Sequence, residues 1–274
     1  MRHRDWTPGN TKTGGTPLDE YSTDRTEFPS PSTTGERPID KTALSYWFPK
    51  IEAAGLPVPR TAILRMPVAA QESIWAGFDG KDGTPEQYVA LRTFFDGVVN
   101  TASGLGYPCF LRTDHTSGKH RWRDTCFLRS GDDVPSHVFS LAEFSECSDI
   151  IGLPWDTWAV REYLPIIPFG NCPRYGDMPI CREFRFFVDG GNVRCCHPYW
   201  PREALTEGGA HRLDYAALCE QPAGYHLHVL ASAAGRAVGG AWSVDLLETQ
   251  RGWYITDMAE AEKSFHWEGC CPHG

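Results

Sequence analysis

Two aspartates near the C-terminus, Asp245 and Asp257, have the type and spacing to hold a divalent cation. They fall in two short runs, 241–248 and 253–257, separated by the turn-like tetrapeptide Thr249-Gln250-Arg251-Gly252. Each run is rich in aromatic and aliphatic residues, so the pair reads as a β-hairpin. Adjacent antiparallel strands would carry both carboxylates to one end of a sheet. Paired acidic oxygens on a rigid support are what Mg2+ uses when it also holds nucleotide phosphates. The plainer alternative is two surface acids flanking a hairpin.

Groups that could meet those phosphates lie upstream. The loop from Arg112 to Arg121 contains Ser117, Gly118 and Lys119. Small residues let the backbone approach an anion, and exposed N–H groups can face its oxygens. Arg112 would project from the end of the preceding strand. The segment Trp158–Leu164 can offer backbone N–H and C=O groups to adenine, with Glu162 accepting from ribose hydroxyls. In Cys181–Val188 the alternation is strict: Glu183 and Arg185 share one face, Phe184 and Phe186 the other. Arg185 is thereby a candidate to bind phosphate or to stabilise a transferring phosphoryl group. Taken singly, these pieces also read as a solvated basic turn, an edge strand and a surface Glu–Arg pair worth under ~1 kcal/mol.

The elements that must position these residues follow from periodicity. Helices are expected over 42–54, 85–103, 140–151 and 225–238. In the second, Tyr88, Leu91, Phe95, Val98 and Val99 recur at helical spacing behind a first-turn Pro85. Ser140 and Glu143 read as a capping box for the third. Strands are expected over 61–64, 107–112, 125–128 and 158–164. A hairpin of 181–188 and 193–197 turns at Asp189-Gly190-Gly191-Asn192. Helical material first and hairpins later predict an α+β fold with largely antiparallel sheets. No Gly-x-Gly-x-x-Gly follows a strand and no Walker loop is present, which disfavours two common nucleotide scaffolds. Residues 1–40, rich in Thr, Pro, Gly, Ser and charge, are expected to form a flexible arm. The remainder divides into a helical and mixed subdomain, 41–105, and a nucleotide-binding region, 106–274.

A net charge of -9 argues against a broad nucleic-acid surface. No apolar run approaches the ~20 residues of a membrane span, and the N-terminus lacks the apolar core of a secretory signal. A cytoplasmic protein is expected. The ten cysteines include no Cys-x-x-Cys pair, so free thiols are expected. A composite zinc site from Cys172, Cys181, Cys270, Cys271 and His273 is the alternative.

The order of the pieces carries more than any one of them. An Arg112 strand, a Ser/Gly/Lys loop, Val160-Arg161-Glu162-Tyr163-Leu164-Pro165, the Arg182–Gly191 hairpin strand and the final Asp245/Asp257 strands resemble the ATP-grasp superfamily. Within it the chain looks most like the cell-division-cycle type, whose eukaryotic members assist assembly of a translation initiation factor. The resemblance covers about residues 106–267. It implies two lobes with antiparallel sheets clasping ATP and Mg2+. Arg112 and Lys119, with Ser117 and Gly118 beside them, would reach the phosphates. The strand containing Arg161, Glu162, Tyr163 and Leu164 would hold adenine. Arg185 would reach in from the opposite lobe beside Glu183, and Asp245 and Asp257 would bind Mg2+.

Two departures stand out. Ala259 occupies the place of the usual Asn, with Glu260 or Glu262 as a substitute metal ligand. The segment Cys195–Trp200 lacks an expected Gln-Arg pair. The implied activity is that of an ATP-dependent carboxylate–amine ligase acting through an acyl phosphate, with Arg185 and Lys119 as catalytic residues. Its acceptor would be a carboxylate or a protein. The alternative is an ATP-binding assembly chaperone without ligase turnover. An acceptor pocket of His197, Tyr199, Trp200, His211 and Trp267 is suggested by polarity and aromatic content.

Overall fold

The computed structural model describes residues 40–148, 152–222, 226–268 and 270. The expected arm at 1–40 lies outside them except for Asp40, as do Ile151 and Tyr225, expected ends of two helices. In chain order the elements are α1 (Leu44–Ala53), β1 (Thr61–Arg65), α2 (Val68–Phe78), α3 (Pro85–Leu105), β2 (Cys109–Thr113), β3 (Phe127–Leu128), α4 (Val134–Glu146) and β4 (Thr157–Glu162). There follow β5 (Pro168–Cys172), β6 (Met178–Cys181), β7 (Glu183–Asp189), β8 (Asn192–Pro198), α5 (Arg202–Glu207), α6 (Tyr215–Cys219), α7 (His226–Val238), β9 (Ala241–Thr249) and β10 (Gly252–Glu260).

Two four-stranded antiparallel sheets organise the chain. The first has the order β1-β4-β2-β3. Because β1 pairs with β4, residues on both sides of position 105 build one sheet. Its apolar face packs on α2, α3 and α4 through Ile74, Phe94, Val98, Leu111, Leu141 and Trp158. Helix α3 is well specified locally. Thr84 and Gln87 form a reciprocal capping box, and Pro85 occupies the first turn, where its missing N–H costs nothing. Its buried positions are Leu91, Phe94, Val98 and Ala102, spaced by three or four. Tyr88, expected in that stripe, is exposed, because the face is rotated toward Phe94.

The second sheet has the order β10-β9-β7-β8. One face carries Phe184, Phe186, Trp242, Val244 and Leu246 against α1 and α7. Gly235 is where α7 comes closest: a Cβ there would sit 2.7 Å from Val188 Cγ2. Gly235→Ala should therefore destabilise the chain by roughly 1–3 kcal/mol, the usual cost of overpacking. Urea unfolding reads this directly, and a neutral or stabilising result would contradict so close an approach.

A third, smaller body is built from the β5–β6 hairpin, α5 and α6 around Trp122, Cys172, Met178, Ile180, Leu205 and Leu218. The sequence gives no periodic sign of these pieces, nor of α2, whose buried side is only Ala70, Ser73 and Ile74. The helix expected at 140–151 begins earlier, at Val134. A Ser130–Asp133 capping turn and Pro135 in the first turn start it there, and Ser140 lies in its interior.

Candidate active site between the two sheets

The β9–β10 hairpin sets its carboxylates by an irregularity. Ile255 lies opposite Leu246, but Asp257 lies opposite Asp245, so Thr256 is an extra residue in β10. In an uninterrupted ladder Asp257 would face Val244, which is fully buried against the helices. One inserted residue reverses the side on which the strand presents its side chains. The bulge thus brings Asp257 onto the face that carries Asp245. On that face β7 contributes Arg185, directly opposite Asp245, and Glu183 two residues before it.

From the first sheet, Arg112 comes off β2 and Arg161 off β4, both buried. Lys119 enters from the loop after β2. Together these groups line a cavity of about 870 Å3 including its mouth, bounded by both sheets and the β5–β6 hairpin. One end is apolar: Phe110, Trp122, Tyr163, Leu164, Met178 and Leu247 form a slot. The other end is charged, with Arg112, Lys119 and Arg161 facing Glu183, Asp245 and Asp257. A cleft with an apolar lining and a few convergent charged groups has the make-up of a ligand site.

Within this structure the cations and acids hold one another. Arg112 Nη1 donates to Asp257 Oδ1 at 2.9 Å, and its remaining nitrogens donate to the carbonyls of Thr113 and Asp114. Arg185 grips Asp245 in bidentate fashion, 2.7 Å from Nε to Oδ1 and 2.8 Å from Nη2 to Oδ2. Lys119 Nζ stands 3.9 Å above the Tyr199 ring and 5.0 Å from that of Trp200, a cation–π cradle. Arg161 donates Nη1 to the Thr256 carbonyl at 2.7 Å, while its Nη2 is buried without a partner. A buried guanidinium donor without a partner is unusual, and Arg161 lines the cavity.

The electrostatics follow from burial and proximity. Burial and the neighbouring Arg112 lower Arg161 to about 9. For Asp257, burial works toward a raised value, but Arg112 and Arg161 outweigh it and leave the carboxyl below its ordinary range. For Lys119, burial is likewise outweighed by Tyr199 and Glu183, which hold the ammonium above its usual value. Glu183 is pushed up to about 7, chiefly by burial and further by Asp245, with Lys119 opposing. Its folded form therefore keeps a proton that the unfolded chain has lost. Stability from this group is full below the unfolded value and disappears as pH rises through about 7. Glu183→Gln should thus gain on the wild type as pH is raised from about 5 to about 8. Parallel urea titrations of the two proteins measure this, and a stability difference constant across that range would contradict it.

Of the residues singled out from the sequence, Arg112, Ser117, Lys119, Arg161, Glu162, Tyr163, Leu164, Glu183, Asp245 and Asp257 line the cavity. Arg185 is not among the lining residues and pairs with Asp245. Gly118 adopts a left-handed conformation, φ +56°, and a Cβ there would press on Leu141 and Thr125 at 3.2 Å. Glu162 is engaged by Arg60 at 3.1 Å and Arg251 at 3.4 Å. Glu260 is absent from the lining; it pairs with Lys263 at 2.9 Å, opposite Trp242 in the ladder. The proposed acceptor residues are not brought to one pocket. Trp200 lines the cavity, His197 stacks on Trp267 with 4.9 Å between rings, and His211 lines a separate pocket with Phe169.

Sequence reading missed Met178, Pro179, Trp122 and Thr256 as lining residues. Met178 lies in the unanticipated β5–β6 hairpin, and Thr256 owes its place to the bulge. The composite zinc set is also divided. Cys172 belongs to the third core, Cys181 lines the cavity, and Cys270 lies near Cys196. Cys271 and His273 lie outside the described residues. Among the described cysteines eight are free, as expected, but Cys195 is disulfide-bonded.

No protein-family model matches the chain, and no curated protein matches it in sequence. Solved structures do match in fold. Cdc123 from Schizosaccharomyces pombe aligns with a TM-score of 0.50 at 13% identity, over 80% of this chain and 83% of that one. A RimK domain protein ATP-grasp from Sphaerobacter thermophilus aligns at 0.43 and 12% identity over 80% of this chain. D-alanine–D-alanine ligase from Bacillus anthracis complexed with ATP aligns at 0.46 and 9% identity over 82% of it. The chain spans 59% and 57%, respectively, of the length of those last two.

Proposed function

We propose that this chain, which has the ATP-grasp fold, binds ATP with Mg2+ between its two four-stranded sheets and acts as an ATP-dependent ligase. In this reading ATP phosphorylates a carboxylate, and an amine or similar nucleophile then displaces phosphate from the acyl phosphate. The carrying observation is the cavity itself. Arg112, Lys119 and Arg161 from one side face Asp245 and Asp257 from the other, beside apolar residues that include Tyr163, Met178 and Leu247.

Each part has a physical task. The apolar side chains of Tyr163, Met178 and Leu247 would give the base an apolar site. Arg112, Lys119 and Arg161, which line the cavity, would neutralise phosphates in a low-dielectric setting, where such contacts are strong. Asp245 and Asp257 suit Mg2+, which takes one or two carboxylates and the phosphates themselves. The Arg112 and Met258 hydrogen bonds to Asp257 both fall on Oδ1, so Oδ2 keeps its lone pairs for a cation. Phosphate on Arg112 and Mg2+ on Asp257 would exchange partners with the present ion pair, so charge stays balanced throughout. Arg185 holds Asp245 through its two hydrogen bonds.

Asp257→Ala is expected to weaken Mg2+-dependent ATP binding by about tenfold, or ~1.4 kcal/mol. Calorimetry with and without Mg2+ measures it; equal affinity in wild type and variant would count against the metal assignment.

A second reading is an ATP-binding assembly chaperone that grips a partner protein without ligase turnover. The observation favouring it is Ala259, which lies opposite Ser243 on the Asp257 face and offers no side-chain oxygen to a second metal. ADP release that depends on an added carboxylate supports the ligase. Tight ATP binding with no ADP released under any carboxylate supports the chaperone.

A further inference from the structure

A second cluster of chemically active side chains lies one row along the same sheet, outside the cavity. Cys195, in β8, sits opposite Phe187 of β7. Its Sγ is 3.0 Å from His266 Nε2. Cys270 Sγ completes the group, and the three donor atoms all lie within 4.8 Å of one another. All three residues are half-buried. Two thiolates and an imidazole are the donor set of zinc, whose Zn–S and Zn–N bonds of ~2.3 and ~2.0 Å place tetrahedral ligands roughly 3.3–3.8 Å apart.

The surroundings favour a bound ion over a chance meeting. His266 is held edge-on to Phe187 with 4.2 Å between ring centres, so its orientation is fixed. The segment carrying His266 and Cys270 lies along the β7–β8 face. Ser264 bonds Ser243, the Phe265 carbonyl accepts from Arg185 Nη1 at 3.4 Å, and the Phe265 side chain is exposed. Trp267 stacks on His197, but the Nε1 of Trp267 and the Nε2 of His197 are buried without partners. A metal bound there would add a further tie between this segment and β8, because metal-binding free energy becomes folding free energy.

We propose that Cys195, His266 and Cys270 form a structural zinc site that fastens the 264–270 segment across the β7–β8 face, beside the Arg185–Asp245 pair. Cys195 is disulfide-bonded in this structure, so the metal form is that of the reduced chain. A thiol reductant supplies the two electrons and two protons that turn the disulfide into two thiols, and is itself oxidised to a disulfide. Zn2+ then displaces one proton from Cys195 and one from Cys270. The neutral His266 gives its ring nitrogen, and the fourth tetrahedral position goes to a further donor. The site is independent of the nucleotide reading, since metal content is measured without ATP.

The test uses the full chain, reduced with excess thiol, loaded with Zn2+ and passed into metal-free buffer. Elemental analysis should find about one zinc per chain, and Co2+ in its place should give the visible bands of a tetrahedral thiolate site. Cys270→Ser and His266→Gln should each lower Zn2+ affinity by about a hundredfold, measured against a competing chromophoric chelator. Cys147→Ser, which alters an exposed thiol elsewhere, should leave it unchanged. Retention of well under one zinc by the reduced wild type, or retention undiminished in His266→Gln, would overturn the proposal.

Discussion

Asp245→Ala is expected to cost about 3–5 kcal/mol of stability, the range for stripping one partner from a buried ion pair. The Asp245 side chain is 3% exposed and that of Arg185 15%, so the pair is largely shielded from bulk water. The variant leaves Arg185 with its two best hydrogen bonds gone and a positive charge beneath a sheet. The double variant Asp245→Ala, Arg185→Ala should recover part of the loss, because neither charge is then stranded. Urea unfolding of wild type, both single variants and the double measures the coupling. A loss below ~1 kcal/mol for Asp245→Ala would mean that the pair behaves as a surface salt bridge.

Lys119→Met should lower ATP affinity about a hundredfold, or ~2.7 kcal/mol. Charge-assisted hydrogen bonds of a desolvated ammonium to phosphate belong to the strong class. The Tyr199 and Trp200 rings hold Lys119 in place before any ligand arrives, so little side-chain entropy remains to be lost. Methionine keeps the length of the stem and its contact with those rings, which protects the fold. Displacement of a fluorescent ATP analogue measures the change, and an unaltered dissociation constant would remove Lys119 from the phosphate site.

Much of the site was legible in the sequence because its elements declare themselves locally. The β7–β8 hairpin follows from strict alternation in 183–188 and the Asp-Gly-Gly-Asn turn. The β9–β10 hairpin follows from two apolar runs around Thr249–Gly252. Once those strands are in place, Arg185, Asp245 and Glu183 must share a face. What stayed hidden depends on contacts distant in the chain. The shift at Thr256 leaves no mark in composition, yet it decides which way Asp257 points. The apolar slot owes Met178 to a hairpin whose strands have four and five residues, too short for a periodic signal. Nor could spacing alone reveal that Arg112 is already paired with an aspartate, because Arg112 and Asp257 are 145 residues apart. The Cys195–His266 contact, 71 residues apart, is invisible for the same reason.

Isothermal titration of the full chain with ATP, in Mg2+ and then in excess chelator, is the most direct examination of the cavity. One ATP should bind per chain with Mg2+ present, and markedly more weakly when the metal is removed. Millimolar ATP giving no saturable heat under either condition, with the chain shown to be folded, would contradict a nucleotide site between these sheets.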